Sequence, residues 1–212
     1  MTGTELASEG LGQRIKARIK RMLGNRGVFL EGFLKHPVMV GAIFPSSRHT
    51  IDQMLAPVDW DNCKVFVEYG PGVGTFCQPV LDRLRGDACL IVIDTNPEFI
   101  DHLRRTITDS RFTAVLDSAA DVQEILRTHG HQQADYALSG LPFSTLPEGV
   151  GPAIAQATHN VLREGGAFLV YQYTSAARQF MARHFERIDS GIELRNLPPC
   201  KLYWGWKDKP AD

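Results

Sequence analysis

The sequence predicts a doubly wound α/β fold, and three observations carry the prediction. Apolar, strand-like runs alternate with segments of helical spacing along most of the 212 residues. The first strong run, Lys64-Val65-Phe66-Val67-Glu68-Tyr69, breaks into Gly70, Gly72 and Gly74 and resumes with helical spacing from Phe76 to Leu84. Two β-like segments at the end, Phe185 to Asn196 and Lys201 to Lys207, flank Pro198-Pro199 and read as an antiparallel pair.

The elements follow in order. Residues 1–10 are small and polar and are expected to be disordered. Leu11, Ile15, Ile19 and Met22/Leu23 then form one helical stripe, while Arg14, Lys16, Arg18, Lys20 and Arg21 fill the other face, and Gly24 and Gly27 end the pattern. This basic amphipathic helix suits an anionic lipid surface, or equally a stripe packed on the core with a solvated basic face. Phe29, Leu30, Phe33 and Leu34 suggest a second helix broken at Pro37, followed by a lid-like apolar segment, Val38 to Phe44. Residues 1–45 thus form an extension to a domain spanning 46–212. Ser46 or Ser47 is placed to cap a helix ending near Leu55, and Asp59 to Asn62 turns into the opening strand.

Beyond the glycine turn, Leu90-Ile91-Val92-Ile93 predicts a second strand ending in Asp94, and Phe99 to Ile107 a helix. Phe112 to Leu116 predicts a third strand ending in Asp117-Ser118-Ala119, and Val122 to Thr128 a helix. Ala134 to Leu138 predicts a fourth strand running into Ser139-Gly140-Leu141-Pro142-Phe143. A helix over Val150–Leu162 and a fifth strand over Ala167–Tyr173 complete the alternation.

Composition bounds the function. Hydrophobic content of 43% and charged content of 22% are those of a soluble globular protein. The net charge of −1 hides an asymmetry: residues 1–50 hold eight basic side chains against three acidic ones, and the remainder holds 15 against 21. The longest apolar stretch, Val38 to Pro45, is too short to span a bilayer, and no signal peptide is evident, so a membrane contact would be peripheral and on the cytoplasmic face. Cys63, Cys77, Cys89 and Cys200 show neither paired spacing nor nearby histidines, which points to reduced thiols, a cytoplasmic setting and no metal.

The glycine turn specifies a class of ligand. Glycines let the backbone approach a ligand closely, and the following helix offers unpaired N–H groups. The third glycine arrives one residue earlier than in the dinucleotide pattern, and an acid, Glu68, sits two before the first. A carboxylate suits a cationic ligand better than a pyrophosphate. Asp94, 26 residues after Glu68, stands at a strand tip where a carboxylate takes ribose hydroxyls. Asp117-Ser118-Ala119 is placed either to accept from an adenine amino group or to cap the helix that follows.

The E-x-G-x-G-x-G run resembles motif I of the class I S-adenosylmethionine (SAM) methyltransferases. Together with Val40-Gly41-Ala42-Ile43-Phe44-Pro45-Ser46-Ser47, Ser139-Gly140-Leu141-Pro142 and Asn196-Leu197-Pro198-Pro199, it resembles the bacterial phospholipid N-methyltransferases that convert phosphatidylethanolamine to phosphatidylcholine. The resemblance covers the chain from about Phe29 onward. It implies a seven-stranded Rossmann-like class I sheet, SAM as methyl donor, and an N-terminal helix on anionic bilayers. Carried over by motif, Glu68, Gly70 and Gly72 would bind the methionine end and Asp94 the ribose, within a candidate cofactor set of Ser46, Ser47, Glu68, Tyr69, Gly70, Pro71, Gly72, Gly74, Asp94, Thr95, Asp117, Ser118, Ala119 and Ser139. Tyr171-Gln172-Tyr173-Thr174 departs from the Gln-Phe-Thr pattern of that family.

Amine methylation requires a neutral nitrogen, so a proton must leave. Tyr173, Ser139 and His36 are the candidates at the carboxyl edge of the sheet, against a bland reading of each as packing or a capped turn. Tyr173 and Phe143 are also candidates for an aromatic box around a methylated ammonium. Ribosomal RNA adenine dimethylases share the fold but carry Asn/Asp-x-Pro-aromatic after the fourth strand, where this chain has Gly140-Leu141-Pro142-Phe143. The acidic core and the lack of a basic C-terminal module disfavour nucleic acid, and the alternatives are a methyltransferase of a soluble amine or an RNA adenine, and a SAM- or lipid-binding module without turnover.

Overall fold

The computed structural model describes residues 48–195 and 199–208. The basic helix of residues 11–23, the segment 28–44 with His36, Ser46 and Ser47, and Asn196-Leu197-Pro198 lie outside the described residues. The described chain runs α1 (Arg48–Leu55), β1 (Val65–Tyr69), α2 (Cys77–Leu81), β2 (Cys89–Asp94), α3 (Pro97–Thr106) and β3 (Phe112–Leu116). It continues, after a 3₁₀ turn (Ala119–Asp121), with α4 (Val122–Thr128), β4 (Ala134–Ser139), α5 (Val150–Val161), β5 (Leu162–Gln172), α6 (Ala176–Met181), β6 (Arg187–Glu193) and β7 (Cys200–Trp206).

The seven strands form one sheet in the order β3-β2-β1-β4-β5-β7-β6. β1 to β5 are parallel, and β7 runs antiparallel to both β5 and β6. The order reverses between β1 and β4, so the loops after these strands open a crevice at the carboxyl edge of the sheet. This is the expected seven-stranded, doubly wound class I architecture.

Strand alternation divides the core in two. Phe66, Leu90, Val92, Tyr136, Leu138, Leu169, Leu202 and Trp204 face α1, α2 and α3, which contribute Met54, Leu55, Cys77, Val80, Leu81, Ile100 and Leu103. Val65, Val67, Tyr69, Ile91, Ile93, Phe168 and Val170 face α4, α5 and α6. β1 is buried along its whole length, as a central parallel strand covered on both faces must be. Its amino end is tied by Asp135, whose carboxylate accepts from the Lys64 and Val65 amides at 2.8 Å each and from Arg163 Nε at 2.5 Å.

Two boundaries differ from the sequence reading. The helix expected to reach Leu162 stops at Val161, and β5 begins at Leu162 rather than Ala167. The cause is long-range pairing: the Gly165 amide donates to the Lys207 carbonyl and the Lys207 amide to the Gly166 carbonyl, which holds the Glu164-Gly165-Gly166 turn in the sheet. The short α6 was not foreseen, because its six residues bury only Ala177 and Met181.

Candidate active site

Alternation along β1 turns the Glu68 side chain toward α2. It is 1% exposed, and the Cys77 thiol donates to its Oε2 at 3.4 Å. Among the described residues it has no ion pair. Burial pushes its carboxyl up to about 8, the Cys77 hydrogen bond offsets part of that rise, and the nearby Asp94 carboxylate adds to it. A carboxyl held this way is a site for a positive charge brought by a ligand.

Gly70, Gly72 and Gly74 all adopt positive φ, from 55° to 84°, so the loop folds as expected of glycines. Gly72 is the informative one. A side chain there would meet nothing within 4 Å, so the loop leaves open space on the side from which a ligand approaches. The Gly70 amide donates to the Ile93 carbonyl at 2.9 Å, the Gly140 amide to the Tyr69 carbonyl at 3.2 Å, and the Asp117 amide to the Asp94 carbonyl at 3.1 Å. These bonds continue the sheet ladder past the strand ends and lock the four carboxyl-edge loops together.

Asp94 follows Leu90 and Val92 on the α1–α3 face of β2. Burial raises its carboxyl, while hydrogen bonds from the backbone N–H groups of Asn96, Gly72 and Thr95 oppose the rise. Asp94 therefore joins the second loop to the glycine loop. Asn96 caps α3 through the Glu98 amide, with Pro97 in the first turn. Thr95 is exposed beside Asp94, and Pro71 is buried with its carbonyl accepting from the Gly74 amide.

Other expected residues play different parts. Tyr69 contributes backbone to the site, but its side chain points to the opposite face, where Thr158 Oγ1 donates to its hydroxyl at 3.2 Å. Ser139 is fully buried, and its Oγ accepts from the Leu141 amide at 3.2 Å, which gives the hydroxyl a turn-shaping role. Ser118 caps the Ala119–Asp121 turn through the Ala120 amide, Ala119 is buried beneath it, and the exposed Asp117 carboxylate accepts from the Ser118 amide. Ser118 thus caps the 3₁₀ turn, whereas the helix expected to be capped here, α4, begins after Asp121 with no side-chain cap.

Tyr173 is half-buried and packs on the α1–α3 core. Phe143 packs on the other face, against Phe168 and Phe180 at 6.5 and 6.1 Å between ring centroids, so it does not join Tyr173 in an aromatic box. The aromatic pair on the site face is Phe76 with Tyr171, 4.8 Å apart. The sequence reading did not single out either one. The signal was present in strand alternation, since Ala167, Leu169, Tyr171 and Tyr173 fall on one side. Gln172 points the other way, donates from Nε2 to the Leu141 carbonyl at 2.8 Å, and accepts from the Ala177 amide at 3.3 Å. It fixes the Gly140-Leu141-Pro142 turn against β5.

A buried carboxyl with no cationic partner among the described residues, an open glycine loop and a second carboxylate at the next strand tip fit a ligand with a cationic amino acid end and a ribose. They do not fit a pyrophosphate, which two acids would repel. All four cysteines are free, and no group of three metal-ligating side chains comes together among the described residues.

Comparison with solved structures places the fold. A precorrin-6y C5,15-methyltransferase from Geobacter metallireducens GS-15 superposes with a TM-score of 0.63 at 14% identity, covering 77% of this chain and 90% of that one. The N-methyltransferase NodS from Bradyrhizobium japonicum WM9 superposes with a TM-score of 0.58 at 13% identity, covering 79% and 99%. No protein-family model matches the chain. In sequence, an ornithine lipid N-methyltransferase from Singulisphaera acidiphila is 30% identical over 179 residues, which span 84% of this chain and 93% of that protein. With the fold, the E-x-G-x-G-x-G loop and that relationship in agreement, the chain belongs to the SAM-dependent lipid N-methyltransferases.

Proposed function

We propose that this protein methylates the primary amine of a polar lipid headgroup at an anionic membrane surface, facing the lipid with the carboxyl edge of its sheet. The observation that carries the reading is the 30% identity to an ornithine lipid N-methyltransferase over nearly its whole length. Phosphatidylethanolamine, the acceptor implied by the sequence resemblance, and an ornithine lipid share the needed chemistry: a primary amine on an acyl-anchored headgroup. The protein acts as a peripheral enzyme on the cytoplasmic face, held by the basic helix of residues 11–23.

In this reading Glu68 and the Gly70–Gly74 loop hold the methionine end of SAM and Asp94 its ribose, with Asp117 to Ala119 beside the adenine. When bound, SAM supplies a sulfonium-activated methyl group, transferred to the amine nitrogen while sulfur keeps the carbon–sulfur electron pair and one N–H proton is released. The residues here align the amine and exclude water rather than form a covalent bond.

The carboxyl edge also bears apolar side chains suited to lipid. β6 runs in the same direction as β1, so its carboxyl end lies at the site edge, and there Ile192 and Leu194 are 58% and 75% exposed. Arg195, also exposed, follows them. No helix among the described residues is long and apolar enough to cross a membrane.

The test is SAM-dependent methylation of vesicles holding either phosphatidylethanolamine or an ornithine lipid, each with and without an anionic lipid. Methylated lipid is expected, with higher rates on anionic vesicles. SAM binding without methylation in any arm would instead identify a binding module, and turnover only of soluble amines would move the acceptor away from lipid.

A further inference from the structure

Gly140 ends β4 at the crevice, and nothing in its backbone calls for glycine, since its φ lies outside the positive region that six other glycines occupy. What excludes a side chain there is Tyr171. A Cβ built on Gly140 would lie 2.2 Å from the Tyr171 hydroxyl oxygen and 2.6 Å from Cζ. The register Ser139↔Val170 between β4 and β5 makes Gly140 and Tyr171 neighbours. The phenol oxygen of the adjacent strand thus occupies the space that a side chain at position 140 would fill.

That oxygen lies on the face that carries Glu68 and Cys77, both near enough to act on the Tyr171 phenol electrostatically. The Tyr171 ring is anchored against Phe76. Among the described residues its hydroxyl makes no hydrogen bond within the protein, whereas Ser139 Oγ accepts from the Leu141 amide and both polar atoms of Gln172 bond to the turn and to α6. Among the described residues, the phenol oxygen is therefore a polar atom over the turn that no partner within the protein occupies.

We propose that Tyr171 is the catalytic residue that holds the acceptor amine, its hydroxyl oxygen accepting an N–H of the lipid headgroup and aiming the nitrogen lone pair toward the glycine loop. The assignment rests on the lipid amine reading above and names the residue of that site which meets the substrate. Burial and the Glu68 charge hold the phenol well above its ordinary range, so it stays protonated and orients the amine without acting as its base. The proton released on transfer goes to water. The Tyr171 ring, backed by the fully buried Phe76, then lies beside the methylated ammonium, where cation–π attraction favours it.

Tyr171→Phe removes the oxygen and keeps the ring against Phe76. On amine-lipid vesicles its kcat should fall about tenfold or more, the size expected for one oriented polar contact in a water-excluded site. SAM affinity and Tm should stay at wild-type values. The second arm exploits the steric exclusion: Tyr171→Ala vacates the space, and Gly140→Asn added to it restores a polar oxygen from β4, so the double variant should exceed Tyr171→Ala in kcat. A residue that merely packs would give no such rescue. Tyr171→Phe at more than half the wild-type kcat, or a double variant no better than Tyr171→Ala, overturns the assignment while leaving the lipid reading intact. A wild-type protein inactive on every amine lipid overturns both.

Discussion

At the residue scale, the role proposed for Glu68 at the methionine end of SAM would tie cofactor affinity to pH. Its carboxyl titrates near 8 in the folded protein and near 4.5 as a free side chain, so between these values the folded state holds the proton and the unfolded state has lost it. Stability is therefore full below about 4.5 and declines as pH rises toward 8, by on the order of a few kcal/mol. Glu68→Gln should raise the Tm of the ligand-free protein at pH 8, with the advantage vanishing near pH 4.5. SAM binding draws on the ionised form, so its Kd should fall by up to about tenfold per pH unit from pH 6 to 8 and level off above. Calorimetric titration across this range checks it, and an equally steep profile in Glu68→Gln would remove Glu68 from the cofactor site.

At the element scale, the amino end of the central strands depends on Asp135. Its carboxylate takes two β1 amides and the Arg163 guanidinium at a position only 8% exposed. Asp135→Ala leaves those donors unpaired and should cost about 3 kcal/mol, read as a lower urea midpoint with an unchanged m-value. SAM affinity below the transition should not change, since Asp135 sits at the opposite edge of the sheet from the glycine loop. The carboxyl edge has the reverse balance, with loops tied by single backbone bonds and Glu68 held at an energetic cost for the sake of the ligand.

At the scale of the whole molecule, the membrane contact proposed above has two separable sources, the basic N-terminal sequence and the apolar residues at the carboxyl edge. The first 50 residues carry the excess of basic charge, and the carboxyl edge presents Ile192 and Leu194. Ile192→Asp with Leu194→Asp should fold with an unchanged Tm, because both side chains are exposed, yet float several-fold less with anionic vesicles. Ile15→Asp with Ile19→Asp should show a larger loss. If flotation is unaffected by the first pair, the carboxyl edge does not meet the membrane.

The sequence by itself determined the strand and helix alternation, the glycine loop and the two acids proposed to hold the cofactor. These are local properties: a parallel strand buried on both faces reads as an unbroken apolar run, and the ligand-facing turn needs its glycines within seven residues of chain, Glu68 to Gly74. Tertiary structure alone decided which side chains share a face. Phe143 was readable as a site aromatic until the turn after β4 carried it into the α5–α6 core, and only the fold shows that Ser139 Oγ accepts from the Leu141 amide. Conversely, the meaning of Gly140 lies 31 residues away in Tyr171. Only the pairing of β4 with β5 brings the two together, and that register is set by packing across the sheet, which no local pattern records.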